Sequence, residues 1–261
     1  MPSEPSNTNT KQKLALVTGA SKGVGRGIAI GLATAGWNVI INYNRDESGA
    51  AETATAVRVL QRECWTMQAD IGDGAEVRAM FAKISQTIGR IDLLVNNAGV
   101  QTWASLVDLS EEDWDRTIRT NLKGCFLCTQ QAARLMIADG EGGSIINIGS
   151  GANKTPFPNL GDYSASKGGI DALTKVAAVE LGPHRIRVNC VAPGAIEIER
   201  TKQEAPDYAK TWIPLTPLRQ IGEVGHVADA VVFLASAAAS HITAQTLYVD
   251  GGLWSQGPWP Y

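Results

Sequence analysis

Four apolar residues, Leu14-Ala15-Leu16-Val17, run directly into Thr18-Gly19-Ala20-Ser21-Lys22-Gly23-Val24-Gly25, and a periodic stretch follows over residues 25–35. A short apolar run bounded by glycine predicts a buried strand, and a 3.6-residue period predicts a helix. The chain therefore opens on strand, turn, helix, and the pattern recurs. Residues 39–41, 64–68, 91–95, 144–148, 186–190 and 246–249 are the further predicted strands. Residues 50–61, 75–87, 114–136, 163–181 and 229–235 are the predicted helices between them. Strands without polar alternation belong to a sheet covered on both faces, so the expectation is an α/β fold, a single-domain doubly wound sheet of seven parallel strands flanked by helices. Right-handed crossovers put the carboxyl ends of those strands on one edge, where such a sheet carries its site.

A chain of 261 residues can bury one full core without dividing. Residues 1–12 are polar, contain Pro2 and Pro5, and are expected to form a flexible leader with no signal-peptide core. Residues 13–253 form the folded domain. Within it, 197–223 is the least regular segment, carrying Pro206, Pro214, Pro217 and Gly222, and is expected to act as a lid. Residues 254–261 form an aromatic tail, expected to be ordered because rings bury area at little entropic cost. No apolar run approaches the roughly 18 residues that span a bilayer, so no membrane partner is expected and a cytoplasmic location follows. The formal net charge of -3 offers no positive field, so no nucleic-acid partner is expected. Cys64, Cys125, Cys128 and Cys190 are too scattered for a disulfide scaffold. Cys125 and Cys128 have redox-pair spacing but neither Pro nor Gly between them, and are expected to be packing thiols. No metal site is expected.

Two stretches carry chemistry. In the loop, glycine permits a tight turn and close backbone approach, while free N–H groups at the helix start favour a pyrophosphate. In Tyr163-Ser164-Ala165-Ser166-Lys167, residues four apart share a helical face. A free phenol titrates near ~10 and is a poor base at neutral pH. An ammonium on the same face stabilises phenolate, making Tyr163 the candidate proton donor and acceptor in an alcohol/carbonyl interconversion.

The order Gly-x-x-x-Gly-x-Gly over 19–25, then Asn96-Asn97-Ala98-Gly99, then Tyr163-x-x-x-Lys167 resembles the short-chain dehydrogenase/reductase family over about residues 12–253. The resemblance implies a Rossmann-type sheet with a nicotinamide cofactor across the carboxyl ends of its strands. It implies cofactor contacts at Gly19, Ser21, Lys22, Gly23, Val24 and Gly25, at Asn44 and Arg45, and at Asp70 and Ile71 beside the adenine. Asn97, Ala98 and Gly99 fall beside the adenine ribose, Asn96 under the central strand, and Pro193, Gly194 and Ile196 at the nicotinamide. Tyr163 and Lys167 complete that set. Ser150 matches the serine that bonds the substrate oxygen, and Asn121 the asparagine that kinks its helix beside the lysine. Family helices pair between subunits, so a homotetramer is expected.

Asn42-Tyr43-Asn44-Arg45 stands where an NAD-selective member carries an aspartate, with Tyr43 at its place. No carboxylate there repels a 2'-phosphate, and Lys22 and Arg45 can bond one, although Asp46 and Glu47 weaken the field. NADP is therefore the preferred cofactor, with NAD retained. Ile198 stands where the family often has threonine. Glu197 and Asn153 are candidates to bind substrate hydroxyls, together with Ser150 and Tyr163; Trp103, Phe157, Tyr208 and Trp212 are candidate pocket residues. An acyl-carrier reductase often shows a basic pair where this chain has Glu141 and His184, which favours a sugar, polyol or other small polar or cyclic substrate. The tail resembles the C-terminal extension of bacterial glucose 1-dehydrogenases, which approaches a neighbouring site. A 3-oxoacyl thioester reductase is the alternative enzyme, and a nucleotide-binding sensor or structural protein the non-enzyme alternative. The presence of Asn121, Ser150, Tyr163 and Lys167 together favours catalysis.

Overall fold

A computed structural model of the chain describes residues 12–256. Strands β1 (Leu14–Val17), β2 (Asn38–Tyr43), β3 (Cys64–Gln68), β4 (Leu93–Asn96), β5 (Gly143–Ile148), β6 (Ile186–Pro193) and β7 (Thr246–Val249) form one sheet in the order β3-β2-β1-β4-β5-β6-β7. Every pairing is parallel. Strand order reverses between β1 and β4, and that crevice is where a doubly wound sheet takes its ligand.

Helices α1 (Gly23–Thr34), α2 (Glu47–Val59), α3 (Gly74–Thr87), α4 (Glu111–Ile118), α5 (Gly124–Asp139), α6 (Gly161–Leu181), α7 (Glu199–Glu204), α8 (Tyr208–Trp212) and α9 (Val224–Ala235) complete the chain. Successive side chains of β1 divide between two cores. Ala15 and Val17 pack with Ile28 and Leu32 of α1 and Val231 of α9, while Leu14 and Leu16 pack with Met80 of α3 and Met136 of α5. This is why the strands lack alternation: both faces are buried. Helices α1 and α9 approach closely because Gly27 and Gly31 lie against Val224 and Ala228; a Cβ at either glycine would fall within 2.9 Å of them.

Three helix starts move, and one helix is interrupted, for local reasons. Helix α2 starts at Glu47, ahead of the expected residue 50, because the Asp46 carboxylate accepts the Gly49 N–H at 3.0 Å. Helix α9 starts five residues before the expected 229, where the Glu223 N–H is met by His226 Nδ1 at 3.1 Å. The expected helix over 114–136 begins earlier, at Glu111, because Ser110 Oγ accepts the Asp113 N–H at 3.1 Å. It is also interrupted by a π-helical turn at Arg119–Lys123. The irregular segment 197–223 contains α7, α8 and a 3-10 turn at Ile213–Leu215. Gln12, the last leader residue, accepts a hydrogen bond from Asn38 Nδ2 at 2.9 Å, whereas the rest of the leader and the end of the tail lie outside the described residues. Among the described residues no helix is long and apolar enough to cross a membrane.

Candidate active site

The glycine loop is held from behind by polar groups. Gly19 and Gly23 lie at φ +61° and +56°, in the left-handed region that glycine enters without strain. A Cβ at Gly19 would fall 2.8 Å from Ala98 Cα, and one at Gly25 would overlap the Gly19 carbonyl and the Asn97 amide. Thr18 Oγ1 accepts from the N–H groups of Asn97 and Ala98 at 3.0 and 3.1 Å, and Asn97 Nδ2 donates to the carbonyls of Thr18 and Gly19 at 2.9 and 3.1 Å. Buried Asn42 accepts the Gly19 N–H at 3.3 Å and donates to the Met67 and Ala69 carbonyls. Arg26 donates to the Ser21 carbonyl at 2.7 Å and to Thr53 Oγ1 at 3.0 Å, which joins the loop to α2. Thr18, Asn42 and Arg26 were not among the expected site residues. Their partners lie on other strands and helices, and spacing along the chain carries no signal for that.

This cradle fits a dinucleotide: wherever backbone approaches backbone the residue is glycine, while the α1 N-terminus, with Lys22 at its cap and Val24 in its first turn, faces the strand edge. At the end of β2 Tyr43 is buried, and burial raises its phenol above the usual range. Lys22, Asn44 and Arg45 are exposed. The Gly49 N–H, above all, holds the Asp46 carboxyl below its usual range, and the Lys22 charge adds to this. Asp70 accepts the Gly72 N–H at 2.9 Å and pairs with Arg119 at 3.1 Å. Ile71 is buried against Gly124. Gly99 lies beside Asn121, whose Oδ1 would be 3.2 Å from a Cβ there.

The residues expected to handle the proton converge from three elements. Asn121 lies in the π-helical turn, a distortion frequently found at functional sites. Its Oδ1 accepts the Val100 N–H at 2.8 Å, and its Nδ2 donates to the Val100 carbonyl at 2.9 Å and to Ser166 Oγ at 3.0 Å. Ser166 in turn donates to the Tyr163 carbonyl at 2.7 Å. Lys167 is 4% exposed; its Nζ donates to the Ile148 carbonyl at 2.7 Å and sits 5.4 Å from the Tyr163 ring centroid. Ser150 follows β5 two residues after Ile148, with its Oγ accepting the Ala152 N–H at 3.2 Å. Beneath them Asn96 Nδ2 donates to Asn147 Oδ1 at 2.9 Å, binding β4 to β5. Asp162 was not anticipated. Its buried carboxylate accepts from the Tyr163 N–H and from Thr117 Oγ1, both at 2.6 Å, and so fixes the first turn of α6 against α4.

On the substrate side, Gly194 follows Pro193 at the end of β6 and lies against Asp250, 2.7 Å from where a Cβ would stand. Ile196 is buried and bridges to Gly222 across the base of the lid. Glu197 pairs with Lys202 at 3.1 Å, and Asn153 Oδ1 accepts from Tyr248 Oη at 3.1 Å, so both expected substrate contacts also have protein partners. Phe157, Trp212 and Trp254 meet edge to face at centroid distances of 5.0–6.3 Å, and Tyr208 joins Trp212 at 6.1 Å. Burial pushes the Tyr208 phenol up to about 12. Trp103 is 63% exposed and stands outside this cluster. Trp254 was expected only as tail, yet it joins the cluster through Phe157 and Trp212.

Fold and site together define a nucleotide-dependent oxidoreductase, and comparison with known proteins gives the family. A family model described as enoyl-(acyl carrier protein) reductase matches residues 19–254. The chain belongs to the short-chain dehydrogenase/reductase family and is an NAD(P)-dependent oxidoreductase. It is 37% identical to an acetoin dehydrogenase from Salmonella typhimurium, with a TM-score of 0.88 and coverage of 96% of this chain and 99% of the other. A gluconate 5-dehydrogenase from Burkholderia cenocepacia, solved in complex with NADP and tartrate, is 36% identical with a TM-score of 0.88, covering 94% and 96%. A 3-oxoacyl-acyl-carrier-protein reductase of Staphylococcus epidermidis is 39% identical over 242 residues, 93% of this chain and 99% of that protein.

Proposed function

We propose that the protein interconverts a secondary alcohol and a carbonyl on a small polar substrate, such as a sugar, a polyol or a hydroxyketone, with NADP preferred and NAD accepted. The observation carrying this reading is the buried Lys167 ammonium, anchored on the β5 carbonyl edge beside the Tyr163 ring and close in the chain fold to Ser150. A nicotinamide cofactor, when bound, supplies or accepts the hydride. Ser150 Oγ holds and polarises the reacting oxygen. Tyr163 Oη gives that oxygen its proton in reduction and takes it back in oxidation. Lys167 stabilises the phenolate left behind. Asn121 and Asp162 keep the π-helical turn and α6 in register, so that the phenol and the serine address the same atom.

Exposed Lys22 and Arg45, with no carboxylate over residues 42–45, support the NADP preference. Exposed Phe126 and Ile137 on α5, and Val176 and Val179 on α6, support pairing of these helices in a homotetramer. The similarity to a 3-oxoacyl reductase supports a second reading, acyl-thioester reduction. Against it, Glu141 and His184 are exposed where an acidic carrier would dock. A screen of aldoses, polyols, small ketones and acyl thioesters with NADPH, NADH and their oxidised forms, followed by absorbance of the reduced nicotinamide, separates the two. Turnover confined to acyl thioesters would replace the first reading with the second, and tight cofactor binding without any turnover would favour a sensor.

A further inference from the structure

Next to Ser150 the chain has a glycine whose missing side chain is replaced by a ring. A Cβ at Gly151 would overlap the Trp254 indole along its Nε1, Cδ1 and Cε2 edge. The indole N–H is buried there, with no hydrogen-bond partner among the described residues. A buried indole N–H ordinarily finds an acceptor, so ring packing rather than a polar bond sets this position. From Gly151 the wall continues outward. Trp254 meets Phe157 of the loop after β5 at 5.0 Å and 77°, and Trp212 of α8 at 6.3 Å and 69°. Trp254 is held at its own backbone, where its N–H donates to Asp250 Oδ2 at 2.9 Å, and Asp250 packs on Gly194 of the turn after β6. The ring therefore joins the serine loop to the lid, and the backbone of the same residue is tied through Asp250 to the β6 turn.

We infer that Trp254, seated on Gly151, is the specificity-determining residue that limits substrate length by closing the space beyond Ser150. The inference deepens the alcohol/carbonyl reading and rests on it for turnover, while binding tests it separately. A substrate whose reacting oxygen lies at Ser150 has room for a short body, and a longer carbon chain on the Trp254 side meets the indole. Pocket walls discriminate by volume, and each added methylene that does not fit changes kcat/KM by about tenfold or more.

The test uses the enzyme saturated with cofactor and a series of unbranched 2-hydroxyketones and the matching vicinal diols from about four to about ten carbons, a step per methylene. Both kcat/KM and the shift in melting temperature on binding are measured. The wild type should favour the short members in both. Trp254→Ala should improve the long members relative to the short by about tenfold or more, and Trp254→Phe, which keeps a smaller ring if the alanine variant does not fold, should do so partway. Gly151→Ala should impair every member, and Gly151→Ala combined with Trp254→Ala should regain activity because the new methyl then has room. If Trp254→Ala and Trp254→Phe scale all chain lengths equally in turnover and in melting shift, the wall is packing only and the inference falls. If the wild type turns over nothing while its melting shift still declines with length and Trp254→Ala lifts that limit, the wall stands and the redox reading falls. If neither turnover nor length-graded binding is seen, both are overturned.

Discussion

Around the glycine loop, segments from β1, β2, β4 and α1 meet through backbone groups and short polar side chains, such as Thr18 on Asn97 and Asn42 on Gly19. Around Trp254, three segments meet through ring edges and faces. Hydrogen bonds require defined distances and angles, so the first region has little latitude in residue type. Ring contacts depend chiefly on volume, so the second can be refilled with other shapes. A chemistry common to a family belongs on the first kind of surface. The substrate preference proposed for this chain belongs on the second.

Substitutions can break that contrast at points of decreasing force. Tyr163→Phe should lower kcat by about 10²–10⁴-fold while cofactor Kd, measured by fluorescence titration, stays within about twofold. A comparable loss of cofactor binding would mean that the phenol serves the cradle rather than the proton. Gly25→Ala should do the reverse. Its methyl overlaps the Gly19 carbonyl, and overpacking of about 1–3 kcal/mol should weaken both NADP and NAD by about ten- to a hundredfold. Arg45→Ala should cost about tenfold in NADP affinity and leave NAD nearly unchanged, since only the phosphate can use its charge. Equal losses would remove Arg45 from phosphate recognition.

The smallest effect concerns the four buried thiols. Burial pushes Cys125 up to about 12, Cys64 and Cys190 to about 11, and Cys128 higher still. Raised values keep the proton on sulfur, and thiolate is the reactive form. The folded enzyme at about pH 8 should therefore leave its four thiols unalkylated on a timescale that labels all four in denaturant. Reactivity should rise only as pH climbs toward those values. Rapid labelling of Cys125 and Cys128 in the native protein would revive the redox-pair reading, which their burial in α5 opposes.

Much of the cofactor side was legible because its signals are local. Gly19, Gly23 and Gly25 sit on one turn between one strand and one helix, and Tyr163 and Lys167 on one helical face. The braces behind them were not legible. Asn42 was considered only as the absence of an acid, whereas its amide in fact joins three backbone segments. Asp162 lies just ahead of the helix expected over 163–181, and its bond with Thr117 of α4 joins residues 45 positions apart. On the substrate side, Phe157, Tyr208 and Trp212, expected from position as pocket residues, lie together with Trp254, which was expected only as tail, while Trp103 is exposed outside that cluster.

What the amino-acid order determined by itself was the alternation of strand and helix, the glycine turn and the phenol-ammonium spacing, because period and spacing are properties of neighbouring residues. What only the tertiary structure decided was which remote groups meet: Arg26 with Thr53, Asp162 with Thr117, Gly151 with Trp254. Those meetings depend on how the crossovers return each segment to the sheet edge, and a contact made that way leaves no repeat in the chain to read.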